Sequence, residues 1–408
     1  MYSIGIDIGT TKICAVLRDI DTGEIVKTEH ADNGAFIPSE KEWEKVQRVQ
    51  TIVSRAFDVI GRIPLENVRS IGVTGQMHGI VYIDKNGKAV SDLYTWQDGR
   101  GAEYSALLGS PTGYGSVTHF YNKEHGLVPD EAVSFCAIHD YIVMLLTGRE
   151  KPLTHSSDAA SFGCYDIEKN AFTTDDPFYP EITVGRKIAG YYKNIPVSVA
   201  IGDNQAGFIG SGCGEDDVLV NVGTGAQVSM MTDLPLKRGN LIETRPLYDD
   251  KYILAGISLC GGRSLALLEK FFRDTVYLAG FDGSRSLFET IDRMLEYKED
   301  TTLEFDNRFD GTRADSSIRG SISNISTENF TPADFAAGCV KGMAKELYDL
   351  YEKMDFRKTG RIIGSGNGIR KNKALIRYLE SYFGMPIVIT ENSEEAALGA
   401  ALFGEMCE

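Results

Sequence analysis

The segment IGIDIGTTKICAVL, residues 4–17, is a run of β-forming residues that is interrupted once and then resumes. Two runs rich in Ile and Val on either side of a short Gly/Thr break predict two strands joined by a tight turn. The turn carries Gly9, Thr10 and Thr11, and Asp7 stands just before it. Glycine lets backbone N–H groups approach a ligand and a carboxylate holds a cation, so the turn suits a phosphate with its magnesium. A plain hairpin explains these residues equally well, and the segment alone leaves both interpretations open.

A second segment of the same design lies in the middle of the chain. VLVNVGTGAQVS, residues 218–229, again reads as strand, Gly/Thr turn and strand, and residues 252–257 supply a third strand. Residues 2–29 likewise predict three strands. The chain therefore repeats one α/β plan in two lobes, and two such turns would let both lobes bind one polyphosphate.

Composition limits the classes of protein that the chain can belong to. Its 408 residues are long for a single core and sufficient for two domains. The formal net charge of −16 argues against binding a nucleic-acid backbone, which needs clustered Lys and Arg. The seven scattered cysteines form no CxxC pair and indicate reduced thiols rather than a disulfide framework or zinc site. Without an apolar run of ~20 residues or a secretory signal pattern, we expect a cytoplasmic protein.

Helices are expected between the strands. Ser39 with Glu42 forms a capping box, and apolar residues follow at three-to-four spacing from Trp43 to Ile60. This pattern predicts an amphipathic helix over the whole stretch. Residues 70–74 then predict a strand.

A Gly-rich loop near the end of the chain has the layout of a nucleotide site. A strand at residues 361–365 leads into GSGNGIRKN, residues 364–372, and a helix follows. The sequence strand, Gly-rich loop and helix places backbone N–H groups where a phosphate can bind.

The segment IGDNQAG, residues 201–207, places Asp203 after a strand and at the start of a helix. As an N-cap, such an aspartate contributes about 1 kcal/mol. The helix N-terminus also lowers the pKa of the carboxyl group, so we expect an anion at neutral pH that accepts a proton during phosphoryl transfer. Capping and catalysis are compatible at this position.

Two further segments carry polar residues beside strands. GQMHG, residues 75–79, holds His78 between glycines at a strand end, where it either faces a cleft or serves as a hydrogen-bonded structural histidine. WQDGR, residues 96–100, reads either as a core tryptophan with a surface Asp/Arg pair or as a site for a sugar polyol beside Trp96. The residues alone do not decide between these interpretations.

In chain order, DIGTT, GQMHG, WQDGR, GDN, NVGTG and GSGNGIRKN resemble the FGGY family of carbohydrate kinases, and the resemblance covers nearly the whole chain. It implies an α/β fold of two actin-like, ribonuclease-H-type lobes with nucleotide and sugar in the cleft between them. The implied lobes are residues 1–197, with the sugar site and first phosphate turn, and residues 198–408, with the catalytic aspartate, second phosphate turn and adenosine site. Within the family, the resemblance of residues 137–148 and 156–163, together with TWQDGRG, implies sedoheptulose as the substrate, converted to sedoheptulose 7-phosphate, rather than xylulose, another pentulose or a polyol.

The resemblance also implies roles for individual residues. Asp203 is the expected general base, and Asp7 and Asp203 are the expected Mg²⁺ ligands. The expected sugar contacts are Gln76, Met77, His78, Trp96, Asp98 and Asn204. The expected ATP contacts are Gly9, Thr10, Thr11, Lys12, Gly223, Thr224, Gly261, Gly262, Gly366 and Asn367. The chain is shorter than many family members between residues 264 and 335 and has GSGNG where GGG is commoner, and both departures concern the adenine contacts.

Other functional classes predict different features. A non-catalytic sugar or nucleotide sensor on this fold would be expected to lack Asp203 or to carry an appended helix-turn-helix. An actin-fold ATPase of the chaperone type would need a peptide-binding domain after the second lobe. We therefore expect an ATP-dependent carbohydrate kinase, monomeric or homodimeric, whose partners are ATP and a small sugar rather than nucleic acid or membrane.

Overall fold

The chain forms two compact units in a computed structural model, which describes residues 1–235, 241–313, 315–356 and 360–407. The first unit comprises Met1–Gly212, Arg245–Tyr252 and Glu394–Glu408. The second unit comprises Cys213–Thr244 and Ile253–Ser393. No helix within the described ranges is long and apolar enough to cross a membrane.

The first unit alternates strands and helices along the chain. Its elements are β1 (Tyr2–Ile8), β2 (Lys12–Asp19), β3 (Ile25–Asp32), β4 (Val46–Gln47), α1 (Val49–Gly61), β5 (Val68–Gly75), β6 (Val81–Asp84), β7 (Leu93–Tyr94), α2 (Ser105–Leu108), α3 (Gly115–Glu124), β8 (Ala132–Cys136), α4 (Ile138–Thr147), β9 (Leu153–His155), α5 (Ser156–Phe162), β10 (Tyr165–Asp166), β11 (Ala171–Phe172), β12 (Glu181–Thr183), β13 (Ile188–Tyr192), β14 (Ile195–Ser198), β15 (Ile201–Gly202), α6 (Asp203–Gly210) and, from the far end of the sequence, α12 (Glu395–Met406).

The main sheet of the first unit has the strand order β13-β14-β5-β1-β2-β3, and β15 pairs with β5. Strands β1, β2 and β3 form the predicted antiparallel meander. Strand β5 lies parallel to β1, β14 and β15, so the sheet is mixed. The three predicted strands at the N-terminus and the strand over residues 70–74 are confirmed.

The second unit repeats this plan. Its elements are β16 (Val218–Val222), β17 (Ala226–Thr232), β18 (Ile242–Pro246), which ends in the first unit, β19 (Tyr252–Ser258), α7 (Gly261–Leu278), α8 (Phe288–Tyr297), β20 (Glu304–Asp306), β21 (Ser321–Ser323), α9 (Pro332–Lys353), β22 (Ile362–Ser365), α10 (Asn367–Lys371), α11 (Lys373–Phe383) and β23 (Ile387–Ile389). Its sheet has the order β18-β19-β17-β16-β22-β23. The β16–β17 hairpin with parallel β22 corresponds to the β1–β2 hairpin with parallel β5. The predicted repetition of one plan is confirmed.

Helices cover both faces of the first sheet. Ile13 and Ala15 of β2 belong to the large apolar core that also contains buried residues of α1 and α4. The alternate residues Cys14 and Val16 point to the opposite face and pack against Ala397 of α12. The period of two along β2 therefore allows the strand to be buried on both sides.

Helix α12 approaches the sheet and α6 closely because glycines lie at its contacts. A Cβ atom on Gly72 of β5 would lie only 1.7 Å from the carbonyl oxygen of Ala400. A Cβ atom on Gly399 of α12 would lie 1.7 Å from the carbonyl oxygen of Ala206 in α6. Helix α12 thus packs directly on both the sheet and α6.

The predicted helix over residues 43–60 is wrong in its first turns. Helix α1 starts at Val49, and the hydroxyl of Ser39 donates a hydrogen bond to Glu44 instead of capping a helix. Val46 and Gln47 form β4, which pairs antiparallel with β7. Pairing with a strand distant in sequence therefore outweighs the local helical pattern.

The compact units and the predicted lobes divide the chain at different places. Residues 198–212 and 394–407 lie in the first unit, because α6 and α12 pack on each other and on the first sheet. The division into family domains at residues 197 and 198 stays a prediction.

The contact between α12 and the sheet predicts a loss of stability on adding one methyl group. Gly72→Ala places a Cβ against the α12 backbone and is expected to lower the free energy of unfolding by about 1–3 kcal/mol or more. Thermal unfolding measures the change. The matched control is Gly61→Ala at the end of α1, where a Cβ meets nothing within 4 Å and the midpoint should stay or rise. An unchanged midpoint for Gly72→Ala would show that α12 does not pack this closely.

Candidate active site

Three parallel strands of the first unit end side by side. Ile8 of β1 lies opposite Gly75 of β5, and Gly75 lies opposite Gly202 of β15. Asp7 precedes this row in β1, and Asp203 follows it as the first residue of α6. The register of the sheet therefore brings Asp7 and Asp203 to one edge, although they are far apart in sequence.

The environment of Asp7 disfavours the ionised form of its carboxyl group. Burial, followed by the negative charges of Asp203 and Glu394, raises the pKa of Asp7 to about 7. His139 and Lys12 act in the opposite direction. The Oδ1 atom of Asp7 is buried and has no hydrogen-bond partner in the part of the chain that the structure describes. This oxygen is therefore available to a ligand.

Asp203 differs from its expected role in two respects. The N-cap of α6 is Gly202 rather than Asp203, so the expected cap is wrong by one residue. The expected lowering of its pKa is also wrong: although the residue is exposed, desolvation by the surrounding protein raises the pKa of its carboxyl group to about 6. His139 opposes this shift, Asp158 adds to it and Arg245 opposes it. At neutral pH the group is still mostly ionised.

A buried ion pair lies near these two aspartates. His139 Nε2 of α4 lies 3.0 Å from Asp158 Oδ1 of α5, and neither side chain is exposed. Burial disfavours the imidazolium, but Asp158 and then Asp140 outweigh it and raise the pKa of His139 to about 9. Sequence reasoning assigned no role to this group. The feature of the sequence that could have indicated this ion pair is the presence of His139 and Asp140 in the largely apolar helix α4.

Two buried amides hold the first phosphate turn. Asn33 Nδ2 donates to the carbonyl oxygen of Gly9 (2.8 Å), and the Asn33 backbone N–H donates to that of Thr11 (2.9 Å). Gln47 Nε2 donates to the carbonyl oxygen of Thr10 (2.7 Å). Sequence reasoning missed both amides because each is distant from the turn in the chain.

Lys12, the fourth expected ATP contact of the first unit, is paired with a carboxylate. Its ammonium lies 2.7 and 2.8 Å from the two oxygens of Glu394, the residue before α12. Its side chain is partly exposed, so this cation lies at the surface beside the turn.

The strand end Gln76–His78 lies next to the turn and to Gly202. Gln76 is buried and hydrogen-bonds Thr10 and Gln47 rather than facing solvent. A Cβ atom on Gly202 would lie 2.5 Å from Met77 Sδ, so Met77 packs immediately beside the start of α6.

His78 adopts a backbone conformation that is unusual for a residue with a side chain. Its φ angle is 72°, its ring stacks on Tyr114 with centroids 4.2 Å apart, and its Nδ1 lies 2.8 Å from the carbonyl oxygen of Ser161. A left-handed conformation in such a residue persists when surrounding contacts impose it, which is common at ligand sites.

Trp96 and Asp98 occupy very different environments. Trp96 is 46% exposed, and its indole N–H donates to the hydroxyl of Thr10 (3.0 Å). Asp98 is buried, and its two oxygens accept from the backbone N–H groups of Lys45 and Arg100 and from Arg100 Nε and Nη2. Four donors fill the acceptor sites of a carboxylate. Direct sugar contact by Asp98 is therefore not supported.

The second phosphate turn packs on two other loops of the second unit. The Gly262 backbone N–H donates to the carbonyl oxygen of Gly223 (2.9 Å), which joins the turn to the start of α7. Gly366 has a φ angle of 84°, and a Cβ there would lie 2.5 Å from the carbonyl oxygen of Val222. The expected ATP contacts of this unit thus gather at the end of β16: Gly223, Thr224, Gly261, Gly262, Gly366 and Asn367.

The raised pKa of Asp7 predicts a pH-dependent effect on stability. Without nucleotide or magnesium, the folded state takes up a proton at Asp7 at about pH 7, whereas the unfolded chain does so near pH 4. The folded state binds more protons between these values, so the contribution of Asp7 makes the protein more stable as the pH falls. Asp7→Asn should therefore be more stable than wild type at pH 8, and below about pH 7 the advantage should shrink by up to about 1.4 kcal/mol per pH unit.

Thermal or urea unfolding of both proteins across this pH range measures that difference. Asp58→Asn, on the exposed side of α1, is the matched control for the loss of one carboxylate. A constant difference for Asp7→Asn would mean that the carboxyl group is not held in the environment described.

Comparison with known proteins finds similarity over nearly the whole chain. Models of the FGGY family of carbohydrate kinases match it twice, the N-terminal domain over residues 2–129 and the C-terminal domain over residues 218–407. Sedoheptulokinase of Mus musculus is 26% identical over 98% of this chain and 96% of that protein. Glycerol kinase of Aquifex aeolicus is 25% identical over 98% of this chain and 88% of that protein.

A solved structure supports the same assignment at the level of the fold. The xylulose kinase from Rhodospirillum rubrum has a TM-score of 0.86 and 18% identity, over 100% of this chain and 90% of that one. This similarity identifies the two-domain actin-like α/β fold. Because the two family models together match most of its length, the chain belongs to the FGGY family of carbohydrate kinases and is an ATP-dependent carbohydrate kinase.

Proposed function

We propose that this kinase transfers the γ-phosphoryl group of ATP to the terminal hydroxyl of sedoheptulose and forms sedoheptulose 7-phosphate. The observation that carries the chemistry is the placement of Asp203 beside Asp7, where three parallel strands end. The choice of sugar is supported by the nearly full-length similarity to sedoheptulokinase.

In this proposal Asp203 is the general base. Its pKa of about 6 leaves it ionised at neutral pH, yet basic enough to accept a proton during the reaction. The sugar oxygen bonds to the γ-phosphorus, the bond to the β–γ bridging oxygen breaks, and the hydroxyl proton passes to the Asp203 carboxylate. Solvent exposure of Asp203 allows that proton to leave afterwards.

Asp7 and Asp203 are the residues that we propose to hold Mg²⁺. The fit rests on the buried, unpartnered Oδ1 of Asp7 and on the preference of Mg²⁺ for carboxylate oxygens. Mutual repulsion contributes to the raised pKa of Asp7, so a cation between the carboxylates would be favoured. When bound, Mg²⁺ neutralises charge on the phosphoryl group during transfer.

Both units supply residues that we propose to bind ATP. In the first unit these are Gly9, Thr10, Thr11 and Lys12, and in the second unit Gly223, Thr224, Gly261, Gly262, Gly366 and Asn367. Among the residues that the structure describes, a Cβ on Gly223 would meet only the Gly225 carbonyl oxygen, at 4.0 Å, so packing does not require glycine there. A phosphate that approaches the backbone closely does require it.

The sugar site is proposed around Met77, His78, Trp96 and Asn204. Trp96 offers an exposed aromatic face, and Met77 and Asn204 adjoin the start of α6. Gln76 and Asp98 were expected to contact the sugar, but their polar atoms are bonded within the protein. We therefore propose that these two residues support the site without touching the substrate.

A coupled ADP-release assay over sedoheptulose, xylulose, glycerol and an aldose tests the choice of sugar. We expect the highest kcat/KM with sedoheptulose, because the proposed pocket suits a ketose with a primary hydroxyl remote from the carbonyl group. A higher value for xylulose would identify a pentulose kinase. A tenfold preference for glycerol or the aldose would contradict a ketose kinase altogether, and no ADP release above background with any sugar would favour a sensor.

Replacing Asp203 tests the proposed base. Asp203→Asn keeps the shape but cannot accept a proton, so turnover should fall by about 10² to 10⁴. Its thermal midpoint should stay or rise, because the substitution removes a charge that its surroundings disfavour. Measuring both on one preparation, with Asp58→Asn as the control, separates catalysis from folding. A stable variant retaining more than about a tenth of the turnover would exclude Asp203 as the base.

A further inference from the structure

A closed ring of hydrogen bonds surrounds the Thr10 peptide in the first phosphate turn. Gln47 Nε2 donates to the Thr10 carbonyl oxygen (2.7 Å), and Gln47 Oε1 accepts from Gln76 Nε2 (2.8 Å). Gln76 Oε1 accepts from the Thr10 hydroxyl (3.2 Å). Gln47 is fully buried, so this polar group has no alternative partner in solvent.

The directions of these hydrogen bonds are mutually consistent. The Trp96 indole N–H donates to the Thr10 hydroxyl, which in turn donates to Gln76. Gln76 donates to Gln47, and Gln47 donates to the Thr10 carbonyl. Turning the Gln47 amide over would place its oxygen against the Thr10 carbonyl oxygen, so the ring has one favourable arrangement.

The ring connects the phosphate turn to the proposed sugar side of the site. Gln76 directly precedes Met77 and His78, and Trp96 extends the chain of hydrogen bonds to an exposed indole. A displacement of Gln76 or Trp96 on sugar binding would therefore move Thr10, which belongs to the turn proposed to bind phosphate through its backbone N–H groups.

We propose that Gln47 is a positioning residue of the kinase reaction, which fixes the phosphate turn through Thr10 and couples it to the sugar-binding strand end through Gln76. The inference rests on the proposed function for the roles of the turn and the strand end. Gln47 itself touches neither substrate. Its loss frees the Thr10 peptide to rotate, which weakens nucleotide binding and uncouples it from the sugar.

Two substitutions at Gln47 and one control isolate this role. Gln47→Leu removes both hydrogen bonds, whereas Gln47→Glu in its ionised form keeps the acceptor for Gln76 and replaces the donor to Thr10 with an oxygen that faces the Thr10 carbonyl oxygen. The control is Asn329→Leu in the second unit, where another buried amide holds a loop by bonding Asn324 O (2.9 Å) and Ser326 N (2.7 Å). It removes a comparable structural amide away from the proposed sites.

The readouts are steady-state kinetics and the affinity for ADP with and without sedoheptulose. Trp96 provides a direct probe, because the chain has only two tryptophans and Trp43→Phe leaves Trp96 as the single tryptophan. ADP titrations followed by Trp96 emission report on the turn without any turnover.

We expect both Gln47 variants to raise the KM for ATP at least about tenfold, because both lose the hydrogen bond to the Thr10 carbonyl oxygen and one such bond corresponds to about 1.4 kcal/mol. In wild type, sedoheptulose should strengthen ADP binding, and in both variants this effect should disappear. Gln47→Leu combined with Gln76→Leu should be no worse than the more severe single variant, because either one opens the ring. Asn329→Leu should lower the thermal midpoint without changing the KM for ATP.

The inference is overturned if the Gln47 variants bind ADP as wild type does, or if sedoheptulose strengthens ADP binding equally in all of them. If Gln47→Leu does not fold, Gln47→Met preserves the length and volume of the side chain and decides the same question. Failure of wild type to phosphorylate sedoheptulose would contradict the proposed substrate alone. In that case, the ADP titrations on Trp96 still decide the role of Gln47 at the turn, and the preferred sugar of the panel replaces sedoheptulose.

Discussion

The parallel pairing of β1, β5 and β15 brings Asp7 and Asp203 to one edge of the first sheet. It is reinforced at the site itself: the Thr74 hydroxyl donates to the carbonyl oxygen of Ile201 (2.7 Å), and the Gly202 N–H donates to Ser157 Oγ (3.2 Å). Because parallel strands end at the same edge, the residues that follow them share one location. Without this register, Asp7 and Asp203 would be two unrelated surface carboxylates.

Concentrating acidic groups at that edge has an electrostatic cost. Desolvation raises the pKa values of Asp7 and Asp203, with added repulsion from Asp203 and Glu394 at Asp7 and from Asp158 at Asp203, and the buried His139 imidazolium offsets part of the negative charge. The free protein therefore holds an arrangement that is less stable than a neutral equivalent. A bound cation would relieve the repulsion, so ligand affinity and the stability of the free protein oppose each other here.

Much of the framework was predictable, because it follows from local patterns. Alternating apolar runs and Gly/Thr turns gave the paired strands of both units, and a carboxylate after a strand drew attention to Asp203. The segment around Gln47 was predicted as helix, because its apolar spacing is helical and its partner strand β7 lies far along the chain. The roles of Asn33, Gln47 and His139 depend on side-chain contacts between distant segments, which no local pattern records. The pKa of Asp203 was expected in the wrong direction for the same reason: the helix end is local, whereas burial and Asp158 are not.

Helix α12 also bears on how the protein is made. Helix α6, which carries Asp203, packs on α12 through the contact of Gly399 with Ala206. Almost the whole second unit lies between these two helices in the sequence. A nascent chain that has emerged only as far as Gly212 contains both aspartates and the first phosphate turn, but not the surface against which α6 is seated. The order of synthesis therefore delays completion of the edge that carries Asp7 and Asp203 until α12 has left the ribosome.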